Sequence, residues 1–276
     1  MSESQIERIG AMYDEQAADY AAFKGDSFAW QFIEMPAFDR YLTDGYMPLP
    51  NLYRPDVHVL DIGCGSGLVA QHLITQGVNA NNITGIDLSP KLLEEARARV
   101  PGATFIEASS DNFDLPNESF DLVTSNMVFH YLNDGQLKQS LDLIYKTLRP
   151  GGTLFFVDAD PDYSEETRRP ENVNRWLEIP TPWGGTAPWF SRDPYELLLD
   201  TTYYAGFDVV AGFPLPISEA GKQASPDEYA KYTSYPARMG ARLAKVSNEE
   251  KQRRLSSADQ VIPSLTQLSR QRRELL

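Results

Sequence analysis

The sequence predicts an α/β fold with helices on both faces of a mostly parallel sheet, and three observations point there. An apolar strand, Val59-Leu60-Asp61-Ile62, runs into the turn Gly63-Cys64-Gly65-Ser66-Gly67 and then into a helical pattern. Twenty residues beyond Gly67, the segment Gly85-Ile86-Asp87 reads as a second strand ending in a carboxylate. The strand segments are apolar throughout rather than alternating, as expected where both faces of a sheet are covered. With 276 residues, 42% of them hydrophobic, the chain suffices for one large domain with additions, or at most two domains.

Taken in order, Ile6 to Leu42 reads as two or three helices. Ile9, Met12, Tyr13, Ala17, Tyr20 and Ala21 recur at helical spacing with acids opposite, which places Tyr13 and Tyr20 on one helix face. A proline-rich link, Met47 to Pro55, leads to strand one at Val57 to Ile62 and a helix over Gly67 to Gln76. Strand two is Asn82 to Leu88; the next helix is capped by Ser89, with Pro90 at its first position. Strand three follows at Ala103 to Ala108 and strand four at Ser119 to Asn126. Leu137, Leu141, Ile144 and Leu148 define an amphipathic helix ending at Pro150, and Thr153 to Asp158 is strand five. Residues 159–192 have weak periodicity but hold Trp176, Trp183, Trp189 and Phe190, too many aromatics for a disordered segment, so a binding lid is expected. A helix at Pro194 to Tyr204, strand six from Phe207 and a seventh strand at Pro236 to Val246 complete the body.

The glycine spacing narrows the ligand. A dinucleotide fingerprint needs Gly or Ala at the sixth position from Gly63, where Leu68 stands, and no G-K-[S/T] follows to make a P-loop. The spacing Asp61-x-Gly63-x-Gly65-x-Gly67 resembles motif I of the class I S-adenosylmethionine (SAM)-dependent methyltransferases, and further pieces resemble that family in order. They are Asp111-Asn112-Phe113-Asp114, Ser125-Asn126, His130-Tyr131-Leu132, Leu148-Arg149-Pro150-Gly151-Gly152 and Ala205-Gly206-Phe207. The resemblance spans roughly residues 10 to 246 and suits small-molecule methyltransferases. It implies a Rossmann-like sheet of seven strands, the seventh antiparallel. The expected units are an N-terminal helical lid (1–48), a SAM-binding core (49–160), a substrate-covering insertion (161–193), the last helix with strands six and seven (194–247) and a basic amphipathic tail (248–276).

The resemblance also implies roles. Gly63 and Gly65 would let backbone approach SAM, Asp61 would order the turn and orient the SAM amino group, and Asp87 would accept from both ribose hydroxyls. Leu88 would lie against adenine, Asp111 and the Asn112 backbone would meet its edge, and Phe113 would add an apolar wall. Ser125 and Asn126 would sit where backbone carbonyls meet the methionine amino group, and Tyr20 would close over SAM beside Tyr13, a catalytic candidate. Each of these carboxylates has a plainer reading as a helix cap or solvated turn, and the tyrosines as core.

Among three histidines, His58 and His72 read as structural, and His130, on the rim after strand four, is the candidate general base. Asp158 and Asp160, at the end of strand five, are candidates to hold an acceptor, with Trp183 and Trp189 as its aromatic walls. No acid or histidine cluster has metal-ligand spacing, so no metal is expected.

The net charge of −14 disfavours a nucleic-acid partner, and no apolar run approaches a membrane span. The polar N-terminus does not read as a signal peptide, and the single cysteine, Cys64, fits a reducing cytoplasmic setting. The tail from Lys251 holds six Lys or Arg against two Asp or Glu; packing on the acidic body or on a second subunit, as a homodimer, is expected. The expected function is methyl transfer from SAM, leaving S-adenosylhomocysteine, to an O or N atom of a small acceptor with ring or apolar character. The alternatives are a macromolecular acceptor such as tRNA or protein, or SAM binding without transfer.

Overall fold

The structure, a computed structural model, describes residues 5–42, 51–159, 175–191, 204–212, 215–234 and 238–257. The N-terminal run forms α1 (Gln5–Glu15) and α2 (Ala17–Asp26), followed by a π-helical turn (Trp30–Glu34) and α3 (Met35–Leu42). The single helix face expected to carry both tyrosines is broken: Gln16 leaves helical geometry at φ −103°, ψ 14°, so Tyr13 and Tyr20 stand on separate helices.

The body alternates strand and helix through β1 (Val59–Ile62), α4 (Leu68–Thr75), β2 (Ile83–Asp87), α5 (Pro90–Arg99), β3 (Thr104–Glu107), β4 (Phe120–Asn126), α6 (Asp134–Thr147) and β5 (Leu148–Ala159). The helix starts follow their caps. The Ser89 hydroxyl accepts the Leu92 N–H with Pro90 at the first position, and Asn133 and Gln136 form a reciprocal capping box on α6.

A hairpin of β6 (Arg175–Pro180) and β7 (Thr186–Ser191) then precedes β8 (Phe207–Gly212), α7 (Glu219–Ala224), α8 (Pro226–Ser234) and β9 (Arg238–Lys245). The main sheet has seven strands in the order β3-β2-β1-β4-β5-β9-β8, with β9 antiparallel to both neighbours and the other pairs parallel.

Alternate residues of the strands feed two cores. Val59, Phe155 and Val157 pack on the face covered by α3 and α4, where the Phe38 ring meets Phe155 edge-on at 4.8 Å. Leu60, Ile62, Leu154 and Phe156 pack with Leu141 and Ile144 of α6 on the other. Each such side chain contributes about 1.5–3 kcal/mol on full burial, and losing one on both faces would be felt by the whole sheet.

The insertion is more regular than its periodicity suggests. Its described part is the β6–β7 hairpin, turning at Gly184 and Gly185, both at positive φ. Ala187 to Ser191 are buried without interruption, so the alternation that marks a half-exposed strand is missing. The expected helix at 194–204 lies outside the described residues except Tyr204, as do Asp160 and the tail beyond 257. The start of that tail is helical and packs on the chain's own body, Lys251 to Asp142 at 2.9 Å and Arg254 to Asp208 at 2.7 Å. Among the described residues no helix is long and apolar enough to cross a membrane, and no cluster of His, Cys, Asp or Glu is placed to share a metal ion.

Candidate functional site

The strand order reverses between β1 and β4, and a ligand crevice is expected outside the carboxyl ends of strands at such a switch point. A cavity of about 660 Å³, partly open to solvent, lies there. Its floor is the glycine turn, with Asp87 and Leu88 on one side and Asn126 to Val128 on the other. Ile6, Ile9, Gly10, Tyr13 and Tyr20 close it from above.

The turn is shaped for close backbone approach. Gly63 has φ +63°, and a Cβ there would sit 2.4 Å from Val128 Cγ2. Asp87 ties this turn to the next one: its Oδ2 accepts the Gly65 N–H at 2.8 Å and its Oδ1 the Ser89 N–H at 2.9 Å. Burial raises its pKa, and the backbone N–H bonds oppose that rise. Asp61 lies beneath the turn, 1% exposed, with Oδ1 accepting from the Thr124 hydroxyl at 2.8 Å and Oδ2 without a partner. Burial pushes its carboxyl up to about 7, against the Thr124 bond and with a further push from Asp87.

The segment after β3 is arranged differently from expectation. The Ser109 hydroxyl donates to Asp111, and Asn112 pairs with Ser109 through backbone, so Ser109 and Ser110 rather than Asp111 and Asn112 line the cavity. Phe113 is not a cavity wall; it is buried in the core. Strand alternation separates the last pair: Asn126 faces the cavity, while the Ser125 hydroxyl is buried without a partner.

The Tyr13 and Tyr131 hydroxyls bond at 2.7 Å, and the Tyr13 and Tyr20 rings meet edge-on at 5.0 Å. Burial raises all three tyrosine pKa values, Tyr131 to about 12, which favours the protonated hydroxyls. Trp183, at the hairpin tip, donates its Nε1–H to Gln16 Oε1 at 3.0 Å and packs on Tyr20 and Phe23. Trp189 lies with its ring centroid 4.6 Å from that of His130.

Asp158 does not offer its carboxylate to an acceptor. It is 2% exposed and fully engaged: Oδ2 accepts the Phe129 N–H at 2.6 Å, and Oδ1 meets His130 Nδ1 at 2.5 Å and the Ala159 N–H at 2.7 Å. The position beside β4 that was expected to face a substrate faces the histidine instead. Of the expected site residues, the fold gathers Tyr13, Tyr20, Gly63, Gly65, Asp87, Leu88 and Asn126 on the cavity and stacks His130 and Trp189 beside Tyr131.

Sequence reasoning missed a buried charge cluster behind this wall. Glu34, fully buried at the end of the π-helical turn, accepts from Lys24 Nζ at 2.6 Å, Arg238 Nε at 3.0 Å and Asn126 Nδ2 at 3.0 Å. Burial works against ionisation of Glu34, but Lys24 and Arg238 outweigh it and hold the carboxyl at about 2. The signal was a lone acid in the apolar run Trp30-Gln31-Phe32-Ile33-Glu34-Met35.

Comparison with known proteins bears on the same region. Residues 59–152 match the family model described as "Methyltransferase domain". A malonyl-[acyl-carrier protein] O-methyltransferase of Enterobacter lignolyticus is 32% identical over 116 residues, 42% of this chain and 44% of that one. A trans-aconitate 2-methyltransferase of Rhizobium leguminosarum is 35% identical over 108 residues, 39% of each. The chain spans between 39 and 57% of the length of the curated relatives it matches first. An S-adenosylmethionine dependent methyltransferase from Mesorhizobium loti superposes with a TM-score of 0.60 at 22% identity, covering 80% of this chain and 99% of that one, a likeness of fold.

Proposed function

We propose that this chain, whose residues 59–152 belong to the class I SAM-dependent methyltransferase family, moves a methyl group from SAM to an oxygen or nitrogen of a small, ring-containing or apolar acceptor. One observation carries the reading: a cavity at the switch point has a glycine-turn floor in which Gly63, at φ +63°, packs too close to Val128 to carry a Cβ, and a carboxylate, Asp87, at its rim.

The residues fit the cofactor. Gly63 and Gly65 form the cradle, and Asp87 keeps acceptor capacity on oxygens that each hold one backbone N–H. Leu88 offers an apolar surface for a purine, and Ser109 and Ser110 lie near its edge. The unpartnered Asp61 Oδ2 and Asn126 Oδ1 are acceptors suited to a cationic amino group. When bound, SAM would supply a methyl group on a sulfonium sulfur, an electrophile for the acceptor's lone pair whose C–S electron pair would remain on sulfur.

The chain's own residues orient, exclude water and take up a proton. Tyr13, Tyr20 and Tyr131 roof the cavity, and Trp183 latches the hairpin onto them. Orientation in a dry site is the main source of acceleration for such a transfer. His130 is the base for an acceptor that brings a proton. The aromatic rings favour an acceptor with apolar or ring character. A small acceptor also agrees with the name of the Rhizobium relative. The one cysteine, Cys64, is buried and free, in keeping with the cytoplasm.

Incubation with methyl-labelled SAM and a crude metabolite extract tests the reading. Label in small organic solutes supports it. Label in RNA or protein would replace the acceptor class, and SAM binding with no label transferred would reduce the chain to a SAM-binding protein.

A further inference from the structure

We infer that Asp158 is a positioning residue that holds His130 with its proton on Nδ1 and its lone pair on Nε2, so that Nε2 is the atom that takes the acceptor's proton. The inference rests on the methyl-transfer reading for the role of that proton, but the tautomer stands on geometry alone.

The carboxylate decides the direction of its bond to the ring. Asp158 receives the Phe129 N–H on Oδ2 and the Ala159 N–H on Oδ1, one backbone donor on each oxygen. Both oxygens of Asp158 thus act as acceptors, and an acceptor is what the carboxylate offers the ring. The ring nitrogen 2.5 Å from Oδ1 therefore carries the hydrogen. A neutral imidazole with a proton on Nδ1 has its basic lone pair on Nε2. The two backbone donors come from residues adjoining the pair, Phe129 before His130 and Ala159 after Asp158, so the carboxylate is fixed by the same turns that carry both partners.

Packing removes the remaining freedom. The His130 ring packs against two aromatic rings, Tyr131 at 4.0 Å centroid to centroid and Trp189 at 4.6 Å. Ring rotation that exchanged the nitrogens would have to displace two aromatic neighbours and break a buried hydrogen bond. Tyr131, whose ring adjoins that of His130, lines the cavity. In the reaction the acceptor's O–H or N–H bond breaks, its electron pair stays on the acceptor atom, and the proton ends on Nε2. Asp158 accepts from Nδ1 throughout and holds the ring in place.

The test uses histidine labelled with ¹⁵N in the full chain, which has only His58, His72 and His130. Long-range proton–nitrogen correlation reads each tautomer, and His130→Gln identifies the His130 signals by their loss. Wild-type protein should show His130 protonated at Nδ1. Asp158→Ala should shift it toward the Nε2–H form that free imidazole side chains favour, while SAM affinity by calorimetry stays within twofold. In the labelled-extract assay the same variant should lower turnover at least tenfold with KM for SAM unchanged, and Asp158→Glu should restore part of it. An Nε2–H signal for wild-type His130 would overturn the inference whether or not any variant folds, and so would turnover within twofold in Asp158→Ala. Wild-type protein that shows the Nδ1–H form yet labels no solute would leave the tautomer standing and remove the methyl-transfer reading instead.

Discussion

The two walls of the cavity are made in opposite ways. On the cofactor side the contacts are backbone: a turn that admits no Cβ at Gly63, and one carboxylate, Asp87, bracing it through two N–H groups. On the other side the wall is side chain: the Tyr13–Tyr131 hydroxyl pair lines it, and the His130–Asp158 pair, Trp183, Trp189 and the charge cluster around Glu34 stand behind it. A backbone wall suits a ligand that never changes. A side-chain wall can be rebuilt by substitution without touching the sheet.

The comparison breaks hardest at Glu34. If side chains alone hold the acceptor wall, Glu34→Ala leaves Lys24 and Arg238 facing each other in the interior without their shared anion. Removing one partner of a buried pair costs about 3–5 kcal/mol. Chemical denaturation should show a loss of that size, and hydrogen exchange should speed up in α2 and α3 more than in β1 and β2. A loss below about 1 kcal/mol would mean that packing, not charge, fastens the N-terminal helices.

The same contrast explains what the sequence made legible. A glycine turn, a cap such as Ser89 and a run such as Leu137-Leu141-Ile144 are local, so strands, helices and the cofactor floor could be read in order. Contacts between distant positions leave no such mark. Glu34 and Arg238 lie 204 residues apart, and Gln16 and Trp183 lie 167 apart. Asp158 shows why the chemistry of a residue type is not enough: an acid at a strand end was expected to meet substrate, and its partner is the histidine expected to act alone. Phe113 and Asp111 misled for a nearer reason, because one local bridge, Ser109 to Asn112, turns both away from the cavity.

A smaller effect sharpens the cofactor side. Asp87→Ala removes the brace on Gly65 and, on the proposed binding mode, the acceptors for two ligand hydroxyls, charge-assisted bonds worth about 1.5–3 kcal/mol each. SAM affinity by calorimetry should fall about 100-fold, roughly 3 kcal/mol. Thermal stability without ligand should fall as well, by about 1–3 kcal/mol, since the Gly65 and Ser89 N–H groups lose their acceptor. Affinity within threefold of wild type would place the ribose elsewhere.

The smallest effect is one of pH and rests on Asp61. Its carboxyl, pushed by burial up to about 7 from the ordinary 3.8, keeps its proton in the ligand-free fold at mildly acid pH. The sign for stability follows from the raised value: the proton's contribution is whole below pH 3.8 and is lost as pH rises through about 7. A cationic amino group placed at the unpartnered Oδ2 reverses the preference and favours the ionised form. SAM binding below pH 7 therefore releases a proton, and affinity should strengthen with rising pH by at most about tenfold per unit before levelling off above 7. Calorimetry in two buffers of different ionisation enthalpy counts that proton directly. Asp61→Asn should bind more weakly at pH 8, show no proton release and lose the slope. Proton release that persists in Asp61→Asn would assign it to another group, and a flat profile in the wild type would remove Asp61 from the amino-group site.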